Sequence, residues 1–183
     1  MTTKARATID DLYRVPGNAK AEIVNGEVVL MSPTGSRPGR ASFNIASSLR
    51  GHERPGISGY AFGDNVGFAV NLPNRDSFSP DAAWYVGNID SMKFLEGAPV
   101  FAAEVRSEND YGMTAEREIA EKRADYFAAG TLVVWDVDLL SEDVIKVYRA
   151  SDPDNPTTYH RGEIAEAEPA VSGWRFPVDE LFR

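Results

Sequence analysis

The sequence predicts a mixed α/β (α+β) protein in which a central mixed β-sheet is flanked by helices. Three observations predict it. Asn25-Gly26 joins two apolar-rich runs, AEIV and EVVLM, and Asn-Gly is the pair that a tight hairpin turn demands. PVFAAEVR (99–106) is apolar almost throughout, as a buried central strand should be. TAEREIAEKRADYFAAG (114–130) is a clear helix with strand candidates on both sides.

Along the chain, Thr8 and Asp11 form a capping-box pattern before a short helix, with Asp in place of the usual Glu. The hairpin at 21–31 follows, then a loop over SPTGSRPG (32–39). Residues 40–52 place Phe43, Ile45, Ala46 and Leu49 at helical spacing, and Gly51 with Pro55-Gly56 should end that helix. SGYAF and VGFAV are short strand candidates joined by residues 63–65. NLPNRDSFSP reads as a loop, and DAAWYV (81–86) as a strand. After the long helix, closed by Gly130, TLVVWDVD (131–138) and VIKVYRA (144–150) are further strands. The Pro-rich tail ends in WRFPVDELF, expected to be a docked turn or short helix.

The 183 residues are enough for one domain, expected to span 1–183. Hydrophobic residues make up 43%, an ordinary globular share, and the lack of Cys excludes disulfides and thiolate zinc sites. MTTKARATIDDLYRV has no apolar signal-peptide core, and no run approaches a membrane span, so a cytoplasmic protein without membrane contact is expected. The net charge of −9 opposes polyanion binding, but it is unevenly distributed. Residues 1–75 hold nine Lys/Arg against six Asp/Glu, and all of the acidic surplus follows them. Arg37, Arg40, Arg50 and Arg54 belong to the basic part, which reads either as a polyanion-facing surface or as a solvated helix face.

Three residues stand out chemically. Asp81 follows Ser79-Pro80, which sets it at the mouth of a strand, as a turn residue or as a ligand. Glu104 interrupts an apolar strand, where an ionised carboxylate is costly unless it is paired or bound to metal. Period-2 alternation puts Ala102, Glu104 and Arg106 on one face and Phe101, Ala103 and Val105 on the other. Lys122 shares a helical stripe with Ile119, Tyr126 and Ala129, so it either reaches the rim of the core or enters a site. Together, two carboxylates from neighbouring strands plus a backbone carbonyl make a hard, all-oxygen site suited to Mg²⁺ or Mn²⁺, and the ammonium adds a positive charge for a phosphate.

EIVNGEVVLMSP, SPDAAWYV, EVRSENDY, EKRADYFAAG and LVVWDVD, in this order and spacing, resemble the Uma-type restriction endonucleases of the PD-(D/E)XK superfamily. The resemblance covers nearly the whole chain, including the closing W-x-F-x-x-x-E-L-F. It implies a restriction-endonuclease-like core and a Mg²⁺-dependent (or Mn²⁺-dependent) hydrolysis of DNA. Asp81 and Glu104 match the motif acids, and the Val105 carbonyl would add a ligand. Lys122 takes the place of a lysine moved from strand to helix, with Tyr126 one turn later, and Glu22 matches an acid of the first hairpin that would complete the metal site. The residue-level alternative for Glu22 is an ion pair with Lys20.

Two departures accompany the match. The usual strand lysine is Arg106 here, which can clamp a phosphate but cannot act as a base. Where family members often carry a His after the Ser-Pro loop, this chain has Arg37-Pro-Gly-Arg40, which weakens a His-assisted step; His52 and His160 lie far apart in sequence and receive no role, and Arg37 and Arg40 of the basic segment are the candidate DNA contacts. Asp110 is expected to organise the loop after Glu104. A homodimer fits the cutting of two strands. The competing reading is a catalytically inactive nuclease-fold module that binds nucleic acid or protein. A serine esterase or P-loop NTPase is disfavoured, because G-x-S-x-G and G-x-x-x-x-G-K-[ST] are both missing.

Overall fold

A computed structural model describes residues 5–183; residues 1–4, the start of the stretch read for a signal peptide, lie outside the described residues. Helix α1 (Ile9–Leu12) is capped as expected: the Asp11 carboxylate accepts the Thr8 N–H at 2.8 Å and its hydroxyl at 2.9 Å. Strands β1 (Ala21–Val24) and β2 (Glu27–Leu30) form the hairpin, with Asn25 at φ 52° and Gly26 at φ 76°, the positive values of a type I′ turn. Helix α2 (Ser36–His52) starts four residues before the expected boundary. Pro38 lies in its first turn, where a missing N–H removes no intrahelical bond, and the Gly39 N–H already reaches the Gly35 carbonyl at 3.0 Å. The loop expected over 32–39 therefore ends at Gly35. At the other end α2 runs through Gly51.

The remaining elements are β3 (Tyr60–Phe62), β4 (Phe68–Ala69), β5 (Ser77–Phe78), β6 (Ala82–Tyr85), β7 (Leu95–Glu96), β8 (Phe101–Val105), α3 (Met113–Ala128), β9 (Val133–Val137), β10 (Ile145–Arg149), β11 (Asp152–Tyr159), β12 (Ile164–Glu166) and β13 (Arg175–Pro177). A 3-10 turn over Val178–Phe182 packs on α2 and is the docked end expected of the tail. The architecture is mixed α+β, as the sequence predicts. Its central sheet has six strands in the order β11-β10-β9-β8-β6-β3. β8 and β9 run parallel, and every other pair in this sheet is antiparallel. The neighbouring candidates SGYAF and VGFAV do not pair with each other. β3 joins the central sheet, while β4 joins a small sheet with β5 and β7.

The alternation read in β8 holds. Phe101, Ala103 and Val105 enter the larger core with Ile45 and Leu49 of α2, Trp84, Trp135 and Trp174. Ala102 faces the other way, into a second core with Phe68, Phe78, Val134 and Tyr126 of α3. Glu104 follows Ala102 on that face and so points toward α3. Among the described residues no helix is long and apolar enough to cross a membrane.

Candidate functional site

The site forms where β6 begins, β8 ends and α3 crosses. The register Ala82↔Ala103 sets Asp81 beside the end of β8. Three bonds hold it there. Its N–H donates to the Ala103 carbonyl at 3.1 Å, its Oδ2 accepts the Val105 N–H at 2.8 Å, and its carbonyl accepts the Ser42 hydroxyl of α2 at 2.7 Å. Glu104 is reached from α3 by two groups on consecutive turns: Lys122 Nζ lies 2.9 Å from Oε1, and the Tyr126 hydroxyl donates to the same oxygen at 2.6 Å. The Tyr126 ring is fixed by stacking on Phe78 at 4.0 Å between centroids.

Lys122 Nζ also lies 3.0 Å from Glu22 Oε1. Glu22 is 2% exposed and is satisfied on both oxygens, since Arg75 donates to Oε2 at 2.6 Å and the Ser79 N–H to Oε1 at 2.8 Å. Arg75 reaches on to Asp125 of α3 at 2.8 Å. Lys20, the alternative partner considered for Glu22, instead binds Asp64 Oδ1 at 2.6 Å and Asp81 Oδ1 at 3.1 Å.

Burial opposes charge at Glu104, Glu22 and Lys122, and the neighbours decide the outcome. Burial raises the Glu104 pKa, and the nearby Asp81 and Glu22 add to this, so it stays above the usual carboxylate value despite Lys122 and Lys20. At Glu22 burial is outweighed by Lys122 and Arg75, and the pKa is lowered. Lys122 is pushed down by burial, but Glu104 and Glu22 more than reverse that and raise it. It therefore keeps its proton at neutral pH and acts as a fixed positive charge.

Asp81, Glu104, Lys122, Tyr126, Val105 and Glu22 are thus brought together, although the contact observed for Val105 is its N–H. Arg106 is drawn elsewhere. Its guanidinium pairs with Asp136 of β9 through two 2.7 Å bonds and also with Glu116 of α3, and these carboxylates raise its pKa. Arg37 is exposed in the first turn of α2, and Arg40 donates to the Arg183 carbonyl at 3.0 Å. Neither touches the carboxylate cluster. Asp110 accepts the Ser107 N–H and hydroxyl at 2.6 and 2.8 Å, the loop-organising part expected of it. Sequence reasoning passed over Lys20 and Arg75 as members. Lys20 was findable, because it stands two residues before Glu22 on an extended segment and so shares its face. Arg75 gave no signal in a polar loop.

Among the described residues, no three His, Asp or Glu gather into a preformed metal cage. The available donor set is Asp81 and Glu104, whose Oε2 carries no hydrogen bond among the described residues. Two hard carboxylates fit an ion of the Mg²⁺ kind, which keeps most of its waters, better than they fit zinc.

A family model described as "Uma2: Putative restriction endonuclease" matches residues 9–179. The chain belongs to the Uma2 family. A solved structure described as "a putative nuclease belonging to DUF820 from Anabaena variabilis ATCC 29413" is similar to this Uma2 chain, with a TM-score of 0.73 and 16% identity over 96% of this chain and 97% of that one. At that identity the likeness shows a shared fold. No curated protein matches the chain.

Proposed function

We propose that this Uma2 chain is a metal-dependent endonuclease of the PD-(D/E)XK type that hydrolyses DNA phosphodiester bonds. The observation that carries the reading is the Lys122 ammonium 2.9 Å from Glu104, at the strand end that also holds Asp81. The family description and the nuclease named among similar structures support it. Asp81 and Glu104 would hold Mg²⁺ or Mn²⁺, with the Val105 carbonyl as a further oxygen. When bound, such an ion lowers the pKa of a water and offsets phosphate charge. Lys122, its ammonium held by Glu104 and Glu22, stabilises negative charge developing on the phosphate. Tyr126 aims Glu104. Glu22, fully engaged with Arg75, Ser79 and Lys122, serves by holding Lys122 in place more than as a ligand. Arg37 and Arg40 take DNA phosphates near the start of α2, and a homodimer would present one site to each strand.

Cleavage of plasmid DNA with Mg²⁺ or Mn²⁺ tests the reading. Asp81→Ala and Glu104→Ala should each lose at least about a hundredfold in rate, given that metal activation contributes several kcal/mol. Variants that cut as fast as the wild type would refute it. A non-catalytic binding module is favoured by one observation, the diversion of Arg106 into a structural ion-pair cluster. That reading predicts no Mn²⁺ binding that depends on Glu104.

A further inference from the structure

Lys20 is a second ammonium at the site, and its surroundings differ from those of Lys122. Lys122 is held between Glu104 and the buried Glu22, whereas Lys20 bridges Asp81 at 3.1 Å and the more exposed Asp64 at 2.6 Å. Asp81 Oδ2 is taken by the Val105 N–H, so Oδ1 is the oxygen left for a cation, and Lys20 sits on it. Asp64 lies in the turn between β3 and β4, 44% exposed, and its Oδ1 also accepts the Asn65 N–H at 2.7 Å, which orients it as a standing anchor for the ammonium.

We propose that Lys20 is a positioning residue that occupies the divalent cation's place on Asp81 while the cation is away, with Asp64 as the anchor that keeps the ammonium close once the cation arrives. The inference rests on the metal-site reading above. An ammonium and a dication repel, and both require Asp81 Oδ1. Entry of the ion therefore displaces Lys20 toward Asp64. In the ion's absence Lys20 neutralises Asp81 and keeps its carboxylate in the geometry a ligand needs. The exchange moves a contact and breaks no covalent bond. Asp64 should favour metal entry because it offers the displaced ammonium a partner.

Mn²⁺ titration of the full chain, followed by calorimetry and by the electron paramagnetic resonance of the free ion, tests this without reference to cleavage. Lys20→Met should bind Mn²⁺ on the order of tenfold tighter than the wild type, within the range by which residues next to ligands alter metal affinity. Asp64→Asn should bind it more weakly. In the Lys20→Met background, Asp64→Asn should have no effect, because Asp64 acts through Lys20. Affinity in Lys20→Met equal to or below that of the wild type overturns the proposal. So does an Asp64→Asn effect that persists without Lys20, since Asp64 would then act by its own field. Lys20→Gln gives the same reading should Lys20→Met fail to fold. If the wild type, Asp81→Asn and Glu104→Gln bind Mn²⁺ alike, the metal site itself is wrong. If the wild type binds and those two do not, the Lys20 comparison alone decides.

Discussion

Tyr126 and Lys122 meet the same oxygen of Glu104, yet removing them should have different effects. Tyr126→Phe keeps the ring stacked on Phe78 and deletes only the 2.6 Å hydrogen bond. It should cost about 1 kcal/mol in urea unfolding and weaken Mn²⁺ binding through a looser Glu104. Lys122→Met strips the cation from Glu104 and one of two from buried Glu22. It should lower the melting temperature by several degrees as well as abolish cleavage, whereas loss of activity with an unchanged melt would mean that the ammonium holds nothing together. Lys122 and both acids were legible because each broke a local rule: a carboxylate in an apolar strand, an aspartate after Pro80, a lysine on a core-facing stripe; Tyr126 broke none and came from the family resemblance. Arg75 broke none. A polar loop residue becomes buried only when β1 and α3 close over it, and no local pattern reports that.

At the scale of elements, segments with a clear apolar period or turn chemistry were readable, whatever their length. β8, β9, β10 and α3 extend over five or more residues, enough for period and composition to show. β5 and β7 are pairs of residues defined by their partners alone, and the eight-residue β11 was hidden by its prolines. β11 contains Pro153 and Pro156 and still forms, because it lies at the sheet edge, where a missing N–H breaks no second ladder. Gly59, just before β3, shows how tightly that strand is seated. Its φ is +124°, and a Cβ there would stand 2.1 Å from Trp84 Nε1, the group that donates to the Ser58 carbonyl. Gly59→Ala should therefore destabilise the protein by more than about 2 kcal/mol, through backbone strain and displacement of a core tryptophan, as read by equilibrium denaturation.

For the whole molecule, Arg75 joins parts distant in sequence. It bonds Glu22 of the hairpin and Asp125 of α3, and its backbone bridges to Val24. Arg75→Met would leave a fully buried carboxylate with Lys122 as its only remaining cation, and should cost about 3–5 kcal/mol, or roughly 10 °C in melting temperature for a chain of this length. A shift below about 3 °C would mean that the linkage contributes little. The fold class was legible from the order of strands and the helix read over 114–130. The joining of hairpin, sheet and α3 around one group of charges was not, because it depends on contacts between segments up to about a hundred residues apart. One consequence follows from where the charges originate. Glu104 belongs to a strand, while its neutralising ammonium arrives eighteen residues later on a helix that must dock before the two meet. A chain still emerging from the ribosome, or one with α3 detached, has the acids without the lysine. On the endonuclease reading proposed above, competence to cut would be tied to completion of the fold.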